Sequence, residues 1–488
     1  MSDLARPATR EAAIAAARSY VADGDFTAEM APRIAIRSES PRADSRDDHL
    51  HYLNNEMRPL LERMGFSCQI IENPVERRLP AMYAERIEDP GRPTILIYGH
   101  GDVLWGMSGD WKDGRDPWIL DEADGRIYGR GTADNKGQHS INLAALRVVL
   151  ERRGHLGFNT KVLIEMGEET GSLGLAELAR MHRDLLRSDC LIASDGPRLA
   201  AGAPTLFLGG RGSVGFRLTC EIRKGAYHSG NWGGLLVNPG IRLAHALATI
   251  TDPTGRIAIP EWTPDRIPTE VRVALKKIVL ETGPDDPEID DNWGEPGLAG
   301  AEQVYGWCNF EVLAFICGRP DAPVNAVPGT ANAICQLRYV VGVDPEKVLP
   351  ALRAHLDARG FDDVTIEEIK EDFYLATRTN LDNGWVQFAL SSMETTLGRE
   401  ACLLPNFGGS LPNEVFAEIV GMPTLWIPHS YPSCSQHAPD EHMLVTVAEE
   451  GMRIMTGLFW DLGEAAIRDG QPVASATARL QPLLTRLS

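Results

Sequence analysis

At 488 residues the chain is longer than one hydrophobic core comfortably serves, so at least two domains are expected. A formal net charge of −20 argues against nucleic acid or an anionic membrane surface as partner, since both need a basic face. With 43% hydrophobic and 24% charged residues the composition is that of a globular protein, and 68 acids are too many for any one site, so most are solvated surface.

Taken in order, the opening stretch MSDLARPATREAAIAAARSYVADG carries early acids and no apolar core, so no secretory leader is expected. No run of 18 apolar residues occurs, so no membrane span is expected. Residues 11–40 place Ala13, Ala16, Tyr20 and Val21 near helix spacing, with Asp25 as the expected N-cap of a second helix. Residues 47–65 read as a further helix closed by Gly65, and FSCQIIE as a strand. PTILIYGHGDV is a buried strand running into a Gly-flanked loop. DGRIYGRGTADNKGQHSINLAALRVVL reads as a strand, a glycine-rich loop and a helix of about 15 residues. KVLIEMGEE, the helix LGLAELARMHRDLL and DCLIASDG follow. Strands that alternate with helices, with the distinctive polar residues just past strand ends, predict an α/β sheet with its site at the carboxyl edge.

Near Ala200 the pattern changes. TLFLGGRGSVGFRLTCEIRKG alternates as strands do, and PGIRLAHALATIT is a helix after the Asn238–Pro239 turn. Residues 251–306 are rich in Pro, Asp, Trp and Gly, with one expected helix, EVRVALKKIVLE. ANAICQLRYVVG is a strand, DPEKVLPALRAHLDARG a helix closed by Gly360, and VTIEEIK a strand. This predicts a small α+β layer over 206–375 with one open face, inserted into a first domain made of 1–205 and 376–488. The tail, 463–488, reads as a terminal helix or a frayed end. Eight cysteines, at 68, 190, 220, 308, 317, 335, 402 and 434, form no CxxC. They predict free thiols in a reducing compartment, and a cytoplasmic location.

The chemistry centres on KVLIEMGEETGS, where two adjacent carboxylates, Glu168 and Glu169, follow an apolar strand. Side by side they repel, so something positive must offset them. Four other clusters hold candidates: His100 and Asp102 in YGHGDV, Asp134 in GRGTADNKG, Asp195 in LIASDG, and His437 in SCSQHAPDEH. Singly each is weak, because a lone His at a strand end is usually structural and an Asp before Gly is usually a turn residue. Together they offer imidazole and carboxylate ligands suited to zinc or a similar divalent ion. Five ligands exceed one open tetrahedral site and suit two metals about 3.5–4 Å apart that share a carboxylate. Asp102 is placed to take the second ring N–H of His100. One member of the Glu pair can then bind metal while the other stays free as a base. A metal-free binding protein on the same scaffold fits less well, since ligands and base are all present. A closed structural zinc site also fits less well, because the ligands are in excess.

GHGDV, GRGTADNKG, MGEETGS and ASDG, with the late His437, resemble the dinuclear zinc aminoacylase/carboxypeptidase family. That family includes glutamate carboxypeptidase, succinyl-diaminopimelate desuccinylase and acetylornithine deacetylase. The resemblance spans roughly residues 30–460. IYGRGTADNKG, KGAYHSG, VNAVPGTANAICQLRYVVG and FGGSLPN are most similar to its carnosine-type, or cytosolic non-specific, dipeptidase branch. The resemblance implies a catalytic domain interrupted by an α+β lid and dimerisation domain, and a homodimer. It implies two divalent ions per subunit, zinc first, with manganese or cobalt as possibilities. His100 and Asp195 would hold one ion and Glu169 and His437 the other, with Asp134 shared and its peptide to Asn135 often cis. Glu168 would be the general base, beside metal-activated hydroxide, and His228 of YHSG would reach across the dimer to steady the oxyanion. Asn325, Thr330, Arg338, Gly409 and Ser410 would line a pocket for the substrate's carboxylate.

The implied reaction is hydrolysis of an amide bond in a small carboxylate-bearing substrate. A dipeptide or short peptide comes first, and an N-acyl or N-carbamoyl amino acid is the alternative. Two departures bear on substrate choice. Residues 252–306 match no family motif, so Trp262, Trp293, Tyr305 and Trp307 either shape the pocket or form that domain's own core. FGGSLPN keeps its glycines but lacks the acidic neighbour of some branches. His139, His429, His442 and Cys434 are expected to be structural.

Overall fold

The computed structural model describes residues 9–473, apart from 281–286, 291, 299, 320 and 469. The chain forms two compact units, one of Met1–Leu208, Thr379–Leu404 and Val415–Ser488, the other of Gly209–Arg378 and Pro405–Glu414. The strip 405–414, which the sequence places with 376–488, joins the second unit because Phe407 exchanges backbone hydrogen bonds with Gly209 (2.7 Å) and Arg211 (3.2 Å).

The first unit is α/β. Its eight-stranded sheet runs in the order Ser67–Ile71, Ala81–Arg86, Asn159–Glu165, Thr94–His100, Cys190–Ala193, Thr424–Trp426, Thr205–Phe207, Cys402–Leu404. Four neighbouring pairs are parallel and three antiparallel. The middle strands are the continuous apolar runs of the sequence. Ile95, Leu96, Ile97, Val162, Leu163 and Ile164 have no exposed surface, as expected of parallel strands covered on both faces. Thr94–His100, Asn159–Glu165, Cys190–Ala193 and Thr424–Trp426 all run the same way, so their carboxyl ends meet at one edge.

Two long helices cover this region. Lys136–Arg153 packs on the Thr94–His100 strand and against Val445–Glu464. It starts very close to the loop before it: a Cβ on Gly137 would lie 2.0 Å from the Thr132 carbonyl oxygen, so only glycine fits. Three local expectations change. Asp25 is the first helical residue of Asp25–Ala35, and Gly24, at φ 83°, occupies the cap. The 47–65 helix is broken into Arg46–His51, a wider π-type turn Tyr52–Met57, and Arg58–Arg63. The last long helix ends at Glu464 and is followed by the small hairpin Ile467–Arg468/Gln471–Pro472, while 474–488 lies outside the described residues.

The second unit is α+β. Four antiparallel strands lie in the order Asn309–Cys317, Thr330–Tyr339, Gly212–Glu221, Val364–Tyr374. Alternation along Thr330–Tyr339 buries Ala331, Ala333, Cys335, Leu337 and Tyr339 in one core with Leu243, Val348 and Leu352 of the helices Pro239–Leu247 and Pro345–Asp357. Asn332, Ile334, Gln336 and Arg338 therefore project from the opposite face. Both helices start as their sequences imply, with Asn238 and Asp344 side chains accepting first-turn N–H groups and proline at the first helical position. Trp262 belongs to this core, fully buried, with its indole N–H donating to the Val348 carbonyl at 2.9 Å. Trp293 is 57% exposed. Among the described residues no helix is long and apolar enough to cross a membrane.

Candidate metal centre

At the carboxyl edge of the first sheet, five segments bring their polar residues together. His100 ends its strand, Glu168 and Glu169 open a short 3-10 turn just past Asn159–Glu165, and Asp195 follows Cys190–Ala193. Asp134 sits in the loop before Lys136–Arg153, and its peptide bond to Asn135 is cis. His437, at φ 60°, comes from the loop before the last long helix.

The side chains form two donor groups joined at one residue. In the first, His100 Nε2 lies 3.1 Å from Asp134 Oδ1 and 3.5 Å from Asp195 Oδ2. In the second, His437 Nε2 lies 3.1 Å from Asp134 Oδ2 and 3.0 Å from Glu169 Oε2. Asp134 thus turns one oxygen to each group. Glu168 stands slightly apart, its Oε2 3.8 Å from His100 Nε2.

Asp102 organises the set from beneath. Its carboxylate accepts the backbone N–H groups of Glu168 and Glu169, both at 3.2 Å, and lies 3.3 Å from His100 Nδ1. It therefore fixes the His100 ring and the start of the acidic turn together. Glu165 closes that turn from its other side, accepting from the Tyr98 hydroxyl (2.6 Å) and the Ser172 hydroxyl (2.9 Å).

The electrostatics favour a cation. Four carboxyls, Asp134, Glu168, Glu169 and Asp195, converge on two imidazoles, so even two protonated rings would leave an excess of negative charge. Burial and then the Asp134 charge push Glu169 up to about 8 and Asp195 up to about 6. Burial, then the Asp195 and Asp134 charges, raise Glu168 well above the carboxylate range. Burial alone would lower His100, but hydrogen bonds to Asp102 and Asp134 carry it well above its ordinary value. Hydrogen bonds to Asp134 and Glu169 push His437 up to about 11. For Asp134 burial is outweighed by the two imidazoles, and its carboxyl is lowered. Asp195 Oδ2 is buried with no hydrogen-bond partner. An orphaned carboxylate oxygen aimed into a set of N and O donors fits a divalent cation.

The remaining candidates lie in the second unit, in two separate places. His228 pairs with Ala326 in a two-residue ladder separate from the four-stranded sheet, and Ser229 N–H donates to the Asn325 carbonyl at 2.8 Å, so His228 and Asn325 sit together just before Thr330 opens its strand. His228 is exposed, and its Nδ1 accepts the Gly230 N–H at 3.1 Å, which leaves the ring proton on Nε2. Arg338 is eight residues along the strand from Thr330, roughly 25 Å away. There its Nη1 donates to Ser410 Oγ at 3.3 Å. Gly409 lies in the same turn, which Arg211 pins by donating from Nε to the Gly408 carbonyl (2.8 Å) while Ser410 Oγ donates to the Arg211 carbonyl (3.2 Å). Burial, then the Arg338 charge, lowers Arg211 to about 10.

The structural expectations for other groups agree with their surroundings. His139 is buried against the Tyr52 hydroxyl (2.7 Å), His429 faces Ser194 Oγ (3.1 Å) and His442 faces the Tyr431 hydroxyl (2.6 Å). Burial pushes the Cys434 thiol up to about 12, and all eight cysteines are unpaired. Sequence reading passes over Arg211, Glu165, Gln436 and Glu441. Gln436 donates to Asp134 Oδ2 at 2.8 Å, and Glu441 binds the loop that carries Asp134. Arg211 between two glycines is the one with a visible signal; the others touch the site only through tertiary contacts.

Comparison with known proteins agrees with this geometry. The pattern of peptidase family M20/M25/M40 matches residues 96–461. The chain is 36% identical over 406 residues to the Beta-Ala-His dipeptidase of Mus musculus, covering 79% of this chain and 80% of that one. It is 31% identical over 337 residues to the cysteinylglycine-S-conjugate dipeptidase of Corynebacterium striatum, covering 66% and 70%. Among solved structures, the M20 family metallo-carboxypeptidase Sso-CP2 from Sulfolobus solfataricus superposes with a TM-score of 0.74 at 25% identity, over 90% of this chain and 99% of that one. Human carnosine dipeptidase 1 shares the fold, with a TM-score of 0.70 at 22% identity, over 92% and 100%.

Proposed function

The chain belongs to peptidase family M20/M25/M40 and is a metal-dependent hydrolase of C–N bonds, and on that premise we propose that it is a dizinc dipeptidase whose substrates carry a free carboxylate. The observation that carries this reading is Asp134, which stands between two His/carboxylate groups with Glu168 held just outside both.

His100 and Asp195 would hold one ion and Glu169 and His437 the other, with Asp134 shared. Zinc suits these mixed N and O donors, and manganese or cobalt could replace it. When bound, such ions polarise a carbonyl oxygen and lower the pKa of water to roughly 7. Glu168 takes a proton from the attacking water as its oxygen bonds to the scissile carbonyl carbon. It then gives that proton to the amide nitrogen as the C–N bond breaks, and returns to a carboxylate. Its carboxylate belongs to neither donor group and stands 3.8 Å from His100 Nε2, which leaves it available to carry a proton. Asp102 keeps both Glu168 and His100 in register for this.

Arg338 and Ser410 would receive the substrate carboxylate, the guanidinium offering two parallel N–H groups. His228, with its proton on Nε2, is the donor for the carbonyl oxygen as it gains charge. Thr330 lies roughly 25 Å along its strand from Arg338, so a single pocket lined by both would need two copies. That separation supports a homodimer in which each copy lends His228 to the other. The edge strand Asn309–Cys317, with Val312, Leu313, Phe315 and Ile316 exposed, offers a surface for the second copy. Eight unpaired thiols support a cytoplasmic location, and the −20 charge supports neither nucleic acid nor membrane as partner.

The test is hydrolysis by the zinc-loaded protein of a panel of dipeptides, N-acyl and N-carbamoyl amino acids, followed by amine release. Dipeptides are expected to turn over fastest, with loss when their C-terminal carboxylate is amidated. Preference for N-acyl or N-carbamoyl amino acids would replace the dipeptidase reading with the alternative on the same site.

A further inference from the structure

The loop that carries Asp134 has no ladder of its own. It runs between the strand Arg126–Tyr128 and the helix Lys136–Arg153, and its backbone N–H groups must find partners elsewhere. One side chain supplies partners for three of them. Glu441, fully buried, accepts the N–H groups of Gly131 (3.0 Å to Oε1, 3.1 Å to Oε2), Ala133 (2.9 Å) and Asp134 (3.0 Å). Arg130, from the same loop, closes the arrangement. Its Nη1 donates to Glu441 Oε2 at 2.7 Å, its Nη2 to the Ala438 carbonyl at 3.1 Å and its Nε to the Trp105 carbonyl at 3.1 Å. Both side chains of the pair are 1% exposed.

What stands at the two ends gives the contact its meaning. Glu441 lies four residues after His437, and Asp134 is one of the residues whose N–H it holds. The Asp134 carboxylate in turn lies 3.1 Å from His437 Nε2 and accepts from Gln436 Nε2 at 2.8 Å. The two loops that meet at the second donor group are therefore tied twice, once at the site and once beneath it. A buried ion pair is weak as a source of net stability, but it specifies one geometry when every hydrogen bond is made.

We propose that Glu441 is a positioning residue: acting through the Asp134 backbone, it sets where the shared carboxylate stands between His100 and His437, and so governs capture of the second cation. This rests on the two-cation reading above. In Glu441→Gln the amide oxygen can take the place of Oε1, but the NH2 group then faces Arg130 Nη1 and the Gly131 N–H, donor against donor, and the loop must shift. Glu441→Asp keeps the charge with a shorter reach.

The experiment uses the full-length protein with cobalt as probe. It compares wild type, E441Q, E441D and the control E450Q, which weakens a different, partly buried arginine–glutamate pair, Arg198–Glu450, in the same unit. Metal affinity by chelator competition, the visible spectrum of the cobalt forms, kcat and KM, and thermal unfolding without metal are measured. In E441Q the first cobalt is expected to bind as in wild type and the second about 10–100-fold more weakly. The spectrum changes with it, and kcat falls far more than KM rises. E441D recovers part of the loss, and E450Q binds both ions normally even if it unfolds earlier. Wild-type affinity and spectrum in E441Q would overturn the proposal. So would equal metal loss in E450Q, or failure of both Glu441 variants to fold, since the pair would then be a determinant of the fold. If wild type itself captures no second ion, it is the two-cation reading that fails.

Discussion

Glu168 and Glu169 are neighbours in the chain and stand in different surroundings. Glu169 Oε2 is 3.0 Å from His437 Nε2 and its side chain is 3% exposed. Glu168 is farther from any imidazole and 18% exposed, open enough to meet a substrate. The change Glu168→Gln preserves shape and removes the basic oxygen. It is expected to leave metal content and fold intact and to lower kcat by about 10²–10⁴-fold, read by metal analysis and steady-state rates. Turnover near wild type would remove Glu168 as the base. All seven first-unit candidates were legible as residues, because strand ends and glycine-rich loops mark where polar side chains gather in an α/β sheet. Their separate roles were not legible from spacing, since which Glu meets His437 depends on the turn Gly167–Ser172 and on the grip of Asp102.

At the scale of elements, the edge that carries the candidate site is a consequence of strand direction. Four strands running the same way put His100, the Glu pair, Asp195 and the His429 segment at one end, and one helix starts beside Asp134. The close start of that helix is the sensitive point. Gly137→Ala would place a methyl 2.0 Å from the Thr132 carbonyl oxygen, two residues before Asp134. The loop must move, at a cost of about 1–3 kcal/mol, with weaker metal binding than wild type. Unfolding temperature and chelator competition read this out; an unchanged protein would show that the loop yields freely. The strands themselves were plain in the sequence because fully buried strands are continuous apolar runs. Helix boundaries were less so. A glycine cap before Asp25 and the widened turn at Tyr52–Met57 are choices of backbone geometry that residue periodicity does not encode.

At the scale of the whole molecule, the length of one strand carries the argument. Thr330 and Arg338 lie on the same strand, eight residues apart, and cannot contact one small substrate from within one chain. In a twofold dimer that shares His228, a mixture of His228→Ala and Arg338→Ala chains, refolded together, is expected to regain about a quarter of wild-type activity by random pairing. Each variant alone stays nearly inactive. No recovery, with mixed dimers shown to form, would remove the shared site.

The sequence by itself determined the reaction class and singled out the polar residues that the structure brings together. Metal ligands are few in type, cluster after strands, and keep their chemistry wherever the fold places them. It also determined the α/β first unit and the α+β insertion, because burial on two faces or one leaves different apolar patterns. Only the tertiary structure decided which oxygen of Asp134 faces which imidazole, that Glu441 grips the Asp134 loop through Arg130, 311 residues away along the chain, and that the candidate pocket residues fall into two groups. These are long-range contacts, made by side chains and backbone N–H groups whose partners are set by packing and not by any local spacing.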